Sequence, residues 1–120
     1  VEQQPDNALA LNNLAWTLGK LGDPKALGYA ERAFKVAPES ASVLDTLGVL
    51  LVAKGDTAKG LEHIAKAVQL APNRHEIRLN YAKALQKAGR KDDARKELTQ
   101  LQAVTQDFPG KAEVADLLKQ

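Results

Sequence analysis

The chain is expected to fold as an all-α solenoid, with three helix–turn–helix repeats followed by a C-terminal capping helix. Three observations carry that expectation. Ala, Leu, Lys, Gln and Glu dominate the 120 residues, and only one Trp, two Tyr and two Phe are present. These are good helix formers, and no stretch alternates apolar and polar residues long enough for a strand. The breaking residues also recur at a fixed period. Gly22, Gly55 and Gly89 lie thirty-three and then thirty-four residues apart; Pro5, Pro38 and Pro72 repeat the same spacing. Finally, the last residues carry a narrow apolar stripe, Val114, Leu117 and Leu118, among polar neighbours Lys111, Glu113, Asp116 and Lys119. A repeat array needs a terminal helix of that kind, with one apolar face and one wet face.

The elements follow from the punctuation. Pro5-Asp6-Asn7 stands where Pro38-Glu39-Ser40 and Pro72-Asn73-Arg74 stand later, so residues 1–7 read as the remnant of a preceding repeat. The opening Val-Glu-Gln-Gln-Pro, without Met, fits a processed form or a fragment. First helices are expected over 8–21, 41–54 and 75–88, with Asn7, Ser40 and Asn73 as N-caps. Each ends at a glycine suited to a left-handed terminating residue. Second helices are expected over 24–36, 57–70 and 91–105, and Pro38 and Pro72 forbid continuation of the first two. A last helix is expected over 110–119, capped by Asp107 with Pro109 in its first turn. The repeats are thus 8–40, 41–74 and 75–106, with the cap at 107–120.

Composition removes several functions. Cysteine is absent, so no disulfide, thiolate metal site or thiol nucleophile exists. The 17 basic and 15 acidic residues nearly cancel, so no nucleic-acid partner is expected. No apolar run approaches the roughly 18–20 residues of a membrane helix. His63 and His75 lie twelve apart without a metal-spaced partner, and Asp92-Asp93 suits a helix N-terminus. No phosphate loop, nucleophile elbow or zinc-protease string occurs. No enzyme, cofactor or metal is expected.

The residues resemble the tetratricopeptide repeat, a helix–turn–helix unit of 34 residues. The clearest copy runs Ala41 to Arg74: Leu44 stands at the family's Trp position, Leu47-Gly48 at its Leu-Gly pair, and Leu51 at its Tyr position. Ala67 and Pro72 match, while Gly60 stands where the family usually has Ala. Leu11, Leu14, Ala15, Ala26, Ala33 and Pro38 fit in the first copy, and Tyr81-Ala82, Leu85, Gly89, Ala94 and Leu98 in the third, where Gln106 replaces the closing Pro. The resemblance implies a right-handed superhelix whose first helices line a concave groove that holds a protein or peptide partner. Asn12-Asn13-Leu14-Ala15-Trp16, Leu44-Asp45-Thr46-Leu47-Gly48 and Phe108-Pro109-Gly110 further resemble the C-terminal repeats of bacterial lipoproteins that accompany exosortase exopolysaccharide systems. That resemblance implies an envelope role, with the cytoplasm as the other possible location.

Helical geometry sorts the groove residues. At about 100° per residue, Leu11, Leu14, Ala15, Leu18 and Leu21 share one face, the expected core stripe, with Leu9, Asn13, Trp16 and Lys20 opposite. In the third repeat Ile77, Tyr81, Ala84, Leu85 and Ala88 form the stripe, with Glu76, Asn80, Lys83 and Lys87 on a separate side. Ser42, Thr46, Val49 and Ala53, with Asp45 beside them, are the middle counterparts. The expected groove is apolar and amidic near Trp16 and basic at Lys83 and Lys87. Trp16 is either a binding hot spot or a packing residue against a neighbouring helix. The net +5 stretch 74–96 is either a polyanion contact or a solvated face, part-balanced by an Asp92–Lys96 pair. The family's carboxylate clamp is not reproduced by Asn12, Trp16, Thr46, Glu76 and Asn80. The leading reading is a protein-interaction module. A structural end of a longer array, or a polyanion or polysaccharide contact, are the alternatives. Exposed apolar surface on residues 8–36 is expected to favour self-association.

Overall fold

A computed structural model describes residues 7–119 and consists there of seven helices. They are α1 (Ala8–Lys20), α2 (Ala26–Val36), α3 (Ala41–Lys54), α4 (Thr57–Leu70), α5 (His75–Lys87), α6 (Lys91–Gln102) and α7 (Glu113–Leu118). Residues 1–6, which hold most of the expected remnant, lie outside the described residues.

Local chemistry sets the boundaries. Asn7 Oδ1 accepts the Ala10 N–H at 3.0 Å, and Ser40 Oγ accepts that of Val43 at 3.3 Å, so both cap as expected. Asn73 does not; Arg74 takes the cap position of α5 without a side-chain bond to the helix. Gly55 ends α3 at φ 110°, and Gly22 and Gly89 turn the chain at φ 73° and 80°. That left-handed region is costly for any residue with a Cβ.

Three boundaries move from expectation by two residues or more, while α1, α5 and α7 each end one residue early. α2 starts at Ala26 rather than 24, because Asp23 Oδ1 accepts the Lys25 N–H and holds Asp23–Lys25 in a turn. α6 stops at Gln102 rather than 105, after its last buried residue, Leu101; Val104 then folds back onto the core. α7 starts at Glu113, and neither Asp107 nor Pro109 belongs to it. Phe108 is drawn into the core, and the chain reverses through Gly110 at φ 88°, with Lys111 N–H donating to Phe108 O. Lys111 Nζ ties the turn down by donating to the carbonyls of Thr105 and Gln106.

The helices pack in two layers. α1, α3 and α5 stand side by side in one, and α2, α4 and α6 back them in the other; α2 and α4 also touch the first helix of the next pair, and α6 touches α7. The molecule is elongated, 46 × 29 × 24 Å. Small residues let the layers meet: Ala15, Ala30, Ala33, Ala67, Ala82 and Ala94 have no exposed surface. The tightest crossing is α3 on α4. A Cβ on Gly48 would lie 2.7 Å from Gly60 O, and one on Gly60 would lie 2.5 Å from Gly48 O.

The expected core stripes need correction at both ends. Leu11 and Ala15 are buried, but Leu14 and Leu21 are exposed, because α2 and α3 cover only one side of α1. In α5, Ile77, Ala84 and Leu85 are buried, Tyr81 is half-buried and Ala88 is exposed. Leu79 and Ala82 are buried instead, in a cluster with Leu98, Leu101, Phe108 and Val114 that the α7 segment closes.

Candidate functional site

The α1–α3–α5 layer is concave, and its inner face forms a groove of about 660 Å³. Position within the period decides what each helix contributes. Asn13, Thr46 and Asn80 hold one place in successive pairs; Trp16, Val49 and Lys83 hold another. Asn12, Lys20, Ser42, Asp45 and Glu76 line the same groove. Leu9 and Lys87 do not. Leu9 is 69% exposed in the first turn of α1, and Lys87 is exposed in the last turn of α5, each beyond the groove's ends.

The floor is polar. Asp45 is buried beneath α3's inner face, and its two carboxylate oxygens accept from Asn80 Nδ2 at 3.1 and 3.2 Å. Burial raises its pKa to about 7; the Asn80 hydrogen bond and the attraction of Arg74 oppose the rise, and Glu76 adds to it. Thr46, also buried, donates from Oγ1 to Ser42 O at 3.0 Å. Asn12 is buried, and its Oδ1 has no hydrogen-bond partner. A buried acceptor left unmatched is costly, so such an atom calls for an explanation.

The walls carry the charges, and most of them are paired. Arg74 donates from Nη1 to Ser42 Oγ at 2.6 Å and grips Glu76 Oε2 through Nε and Nη2 at 3.0 and 2.8 Å. Burial pushes the Glu76 carboxyl up, but the Arg74 hydrogen bond and charge outweigh it and hold the pKa below its ordinary value. Lys83 Nζ reaches Glu113 Oε1 of α7 at 2.7 Å. At the other end the Lys20 ammonium stands 5.1 Å from the centre of the Trp16 ring, a cation–π distance.

The expected basic end of the groove is therefore corrected. Lys83 is balanced by Glu113 and Lys87 does not line the groove. Half of the eight basic side chains of the wider 74–96 stretch are paired as well: besides Lys83, Arg74 with Glu76, Arg78 with Glu97 and Arg90 with Asp93. Asp93, rather than Asp92, supplies the local acid, because Arg90 lies one turn before it. Sequence reading missed Gly19, Leu50 and Leu79 within the helices as lining residues, and beyond them Arg74, Pro109, Gly110 and Glu113. Arg74 was legible from its place before a first helix, two residues from Glu76. Pro109, Gly110 and Glu113 reach the groove only because the chain reverses at Gly110, where a Cβ would meet Leu79 Cδ2 at 2.6 Å.

The histidines are elsewhere. His63 packs edge-on to Phe34, with ring centres 5.1 Å apart, and His75 lies against Phe108 at 5.4 Å. Burial lowers the His63 pKa. Among the described residues no group of three His, Asp or Glu side chains is placed to hold a metal, and no helix is long and apolar enough to cross a membrane.

Comparison with known proteins agrees with this architecture. A tetratricopeptide repeat family model matches residues 51–120. The TPR repeat-containing protein PA4667 of Pseudomonas aeruginosa is 31% identical over 81 residues, covering 64% of this chain. The match takes in 13% of that protein, so the chain spans a small part of its length. A solved structure of a MamA mutant superposes with a TM-score of 0.67 over 80% of this chain and 71% of its own, at 22% identity, which establishes the shared fold. With three sequential helix pairs and more than half of its residues matched, the chain belongs to the tetratricopeptide repeat family, whose members are generally protein–protein interaction modules and typically non-catalytic.

Proposed function

We propose that the concave groove holds a segment of a partner protein. The observation that carries this reading is convergence: side chains from three separate helices, spaced one period apart, line one continuous groove that ends at the Gly110 turn. Trp16 supplies the large amphipathic surface, on the wall and 38% exposed. Buried Trp anchors are over-represented among residues that dominate binding energy. Repeats 8–40, 41–74 and 75–106 would then act as one scaffold, with 107–120 as its closing cap.

The test is selection from a random peptide library, followed by mapping of bound peptides through backbone amide shifts. Peptides that shift Asn13, Trp16, Val49 and Asn80 are expected, with affinity reduced about tenfold or more by Trp16→Ala and helicity unchanged. Binding confined to the outer α2–α4–α6 layer, or no selected binder, overturns the reading.

A polyanion contact through the third repeat has less support, because four of the eight basic side chains of 74–96, namely Arg74, Arg78, Lys83 and Arg90, are already paired with a carboxylate. The likeness of the Asn12–Trp16, Leu44–Gly48 and Phe108–Gly110 strings to envelope lipoproteins of exosortase systems supports a bacterial envelope scaffold serving exopolysaccharide export. Fractionation of cells producing the complete gene product tests that; recovery solely in the cytosol overturns it.

A further inference from the structure

The groove contains two acceptors and little to satisfy them. Asn12 and Asp45 occupy the same place in the period on α1 and α3, which pack side by side, and both line the groove floor. Each is only 8% exposed. Asn12 Oδ1 has no hydrogen-bond partner. Asp45 has one, the neutral amide of Asn80, and makes no ion pair. The other groove carboxylates differ: Glu76 is gripped by Arg74 and Glu113 by Lys83. Asp45 is therefore the one groove carboxylate bonded directly only by a neutral donor, with Arg74 acting on its charge without an ion pair, at the place where desolvation is most costly.

A buried carboxylate and a buried amide oxygen at matching positions of two neighbouring helices, both lining one groove, are complementary to a strong multiple donor carrying positive charge. The geometry points to a basic side chain, a Lys or Arg of the bound polypeptide, as the residue read by this floor: its charged head bonds Asp45, and the Asn12 amide turns to accept from it. This rests on the groove being the partner site. It is the reverse of a site that grips a peptide carboxylate, since two of the three groove cations, Arg74 and Lys83, are already engaged by Glu76 and Glu113, and the third, Lys20, stands over the Trp16 ring. The apolar stem of such a side chain would lie along Val49 and the Trp16 ring, both groove walls.

The charge state of Asp45 gives the inference a second readout. The groups that act on it are Asn80 and Glu76 of α5 and Arg74 just before α5; α1 lines the groove with Asn12 and Asn13, and among the described residues α2 and α4 contribute nothing to the lining. Lys20, Lys83 and Glu113 stand farther along the walls. Burial holds part of the Asp45 population protonated near neutral pH. A cation binds the ionised form, so its affinity rises as the proton leaves.

The experiment uses a short capped Ala/Ser peptide carrying Lys, Arg, norleucine or Glu at its centre, titrated into the chain and followed by amide shifts. The Lys and Arg peptides are expected to shift Asn12, Asp45 and Asn80 and to bind at least about tenfold tighter than the other two. Their affinity should rise between about pH 6 and pH 8, and both preference and pH dependence should vanish in Asp45→Asn. Asn12→Leu should weaken the same peptides. Equal binding of all four peptides in the groove overturns the inference and leaves the groove as a partner site. Shifts confined to the outer layer, or no binding by any peptide, overturn both. Should Asp45→Asn perturb the fold, the pH dependence of the unsubstituted chain decides alone: a flat profile is against the inference.

Discussion

Asp45 is a residue the fold would be more stable without. Its pKa is 3.8 in an ordinary setting and about 7 here, with burial the main cause. Between those values the folded chain keeps a proton that the unfolded chain has released. Stability must therefore fall as pH rises from about 4 to about 7, then level off, by at most about 4 kcal/mol from a shift of this size. Asn80 answers the carboxylate with one NH₂ group shared between two oxygens, which is too little to offset desolvation. Asp45→Asn keeps the shape and removes the charge. It is expected to raise the melting temperature at pH 8 by several degrees and to change it little at pH 4, a difference that thermal scans at the two pH values check. A floor residue that costs stability at physiological pH is what a site tuned for binding rather than folding looks like. Nothing in the sequence separated Asp45 from its neighbours in this way. Period placed it beside the groove set, but burial depends on how closely α1 and α5 flank α3.

At the scale of the helix pair, the α3–α4 crossing is set by two glycines that face each other. The family pattern would tolerate Ala at position 60, yet the packing does not: the added Cβ would meet Gly48 O at 2.5 Å and Val52 Cγ2 at 2.7 Å. The carbonyl is backbone and cannot swing away. Gly60→Ala is thus expected to destabilise by about 1–3 kcal/mol despite its better helix propensity, measured by urea unfolding. Gly28 is the contrast, since a Cβ there meets nothing within 4 Å. Gly28→Ala in α2 should stabilise by about 0.5–1 kcal/mol. The same contrast explains what was legible. Helix number, order and pairing followed from breakers whose chemistry is local: Asn7 and Ser40 cap, and Gly22, Gly55 and Gly89 turn. The cap helix was misplaced by three residues because its start is set by a distant event, the burial of Phe108 against Leu79, Leu98 and Leu101. Local rules assigned Pro109 and Asp107 to the helix, and tertiary packing took them for the turn. The groove residues Pro109, Gly110 and Glu113 were invisible for the same reason.

For the whole molecule, one period position read along the array exposes its weakest boundary. Leu14, Leu47 and Tyr81 hold that position in α1, α3 and α5. Leu47 is 3% exposed because the α1–α2 pair covers it, in a cluster with Ala15 and Ala30. Leu14 is 40% exposed, since no helix pair covers the outer side of α1 among the described residues. Leu21, at 76%, extends the same exposed apolar surface. Two leucines expose far less than the roughly 800 Å² per partner of a stable interface. The expected outcome is weak, concentration-dependent dimerisation, with a dissociation constant on the order of 10⁻⁴ M. Sedimentation equilibrium across a concentration series measures it, and Leu14→Glu combined with Leu21→Glu should return the chain to monomer without changing its helicity. A strict monomer at millimolar concentration would sink the idea. The groove lies on the inner face and includes neither Leu14 nor Leu21. The double variant should therefore keep its affinity for groove-binding peptides, so that self-association and partner binding are read independently on one molecule.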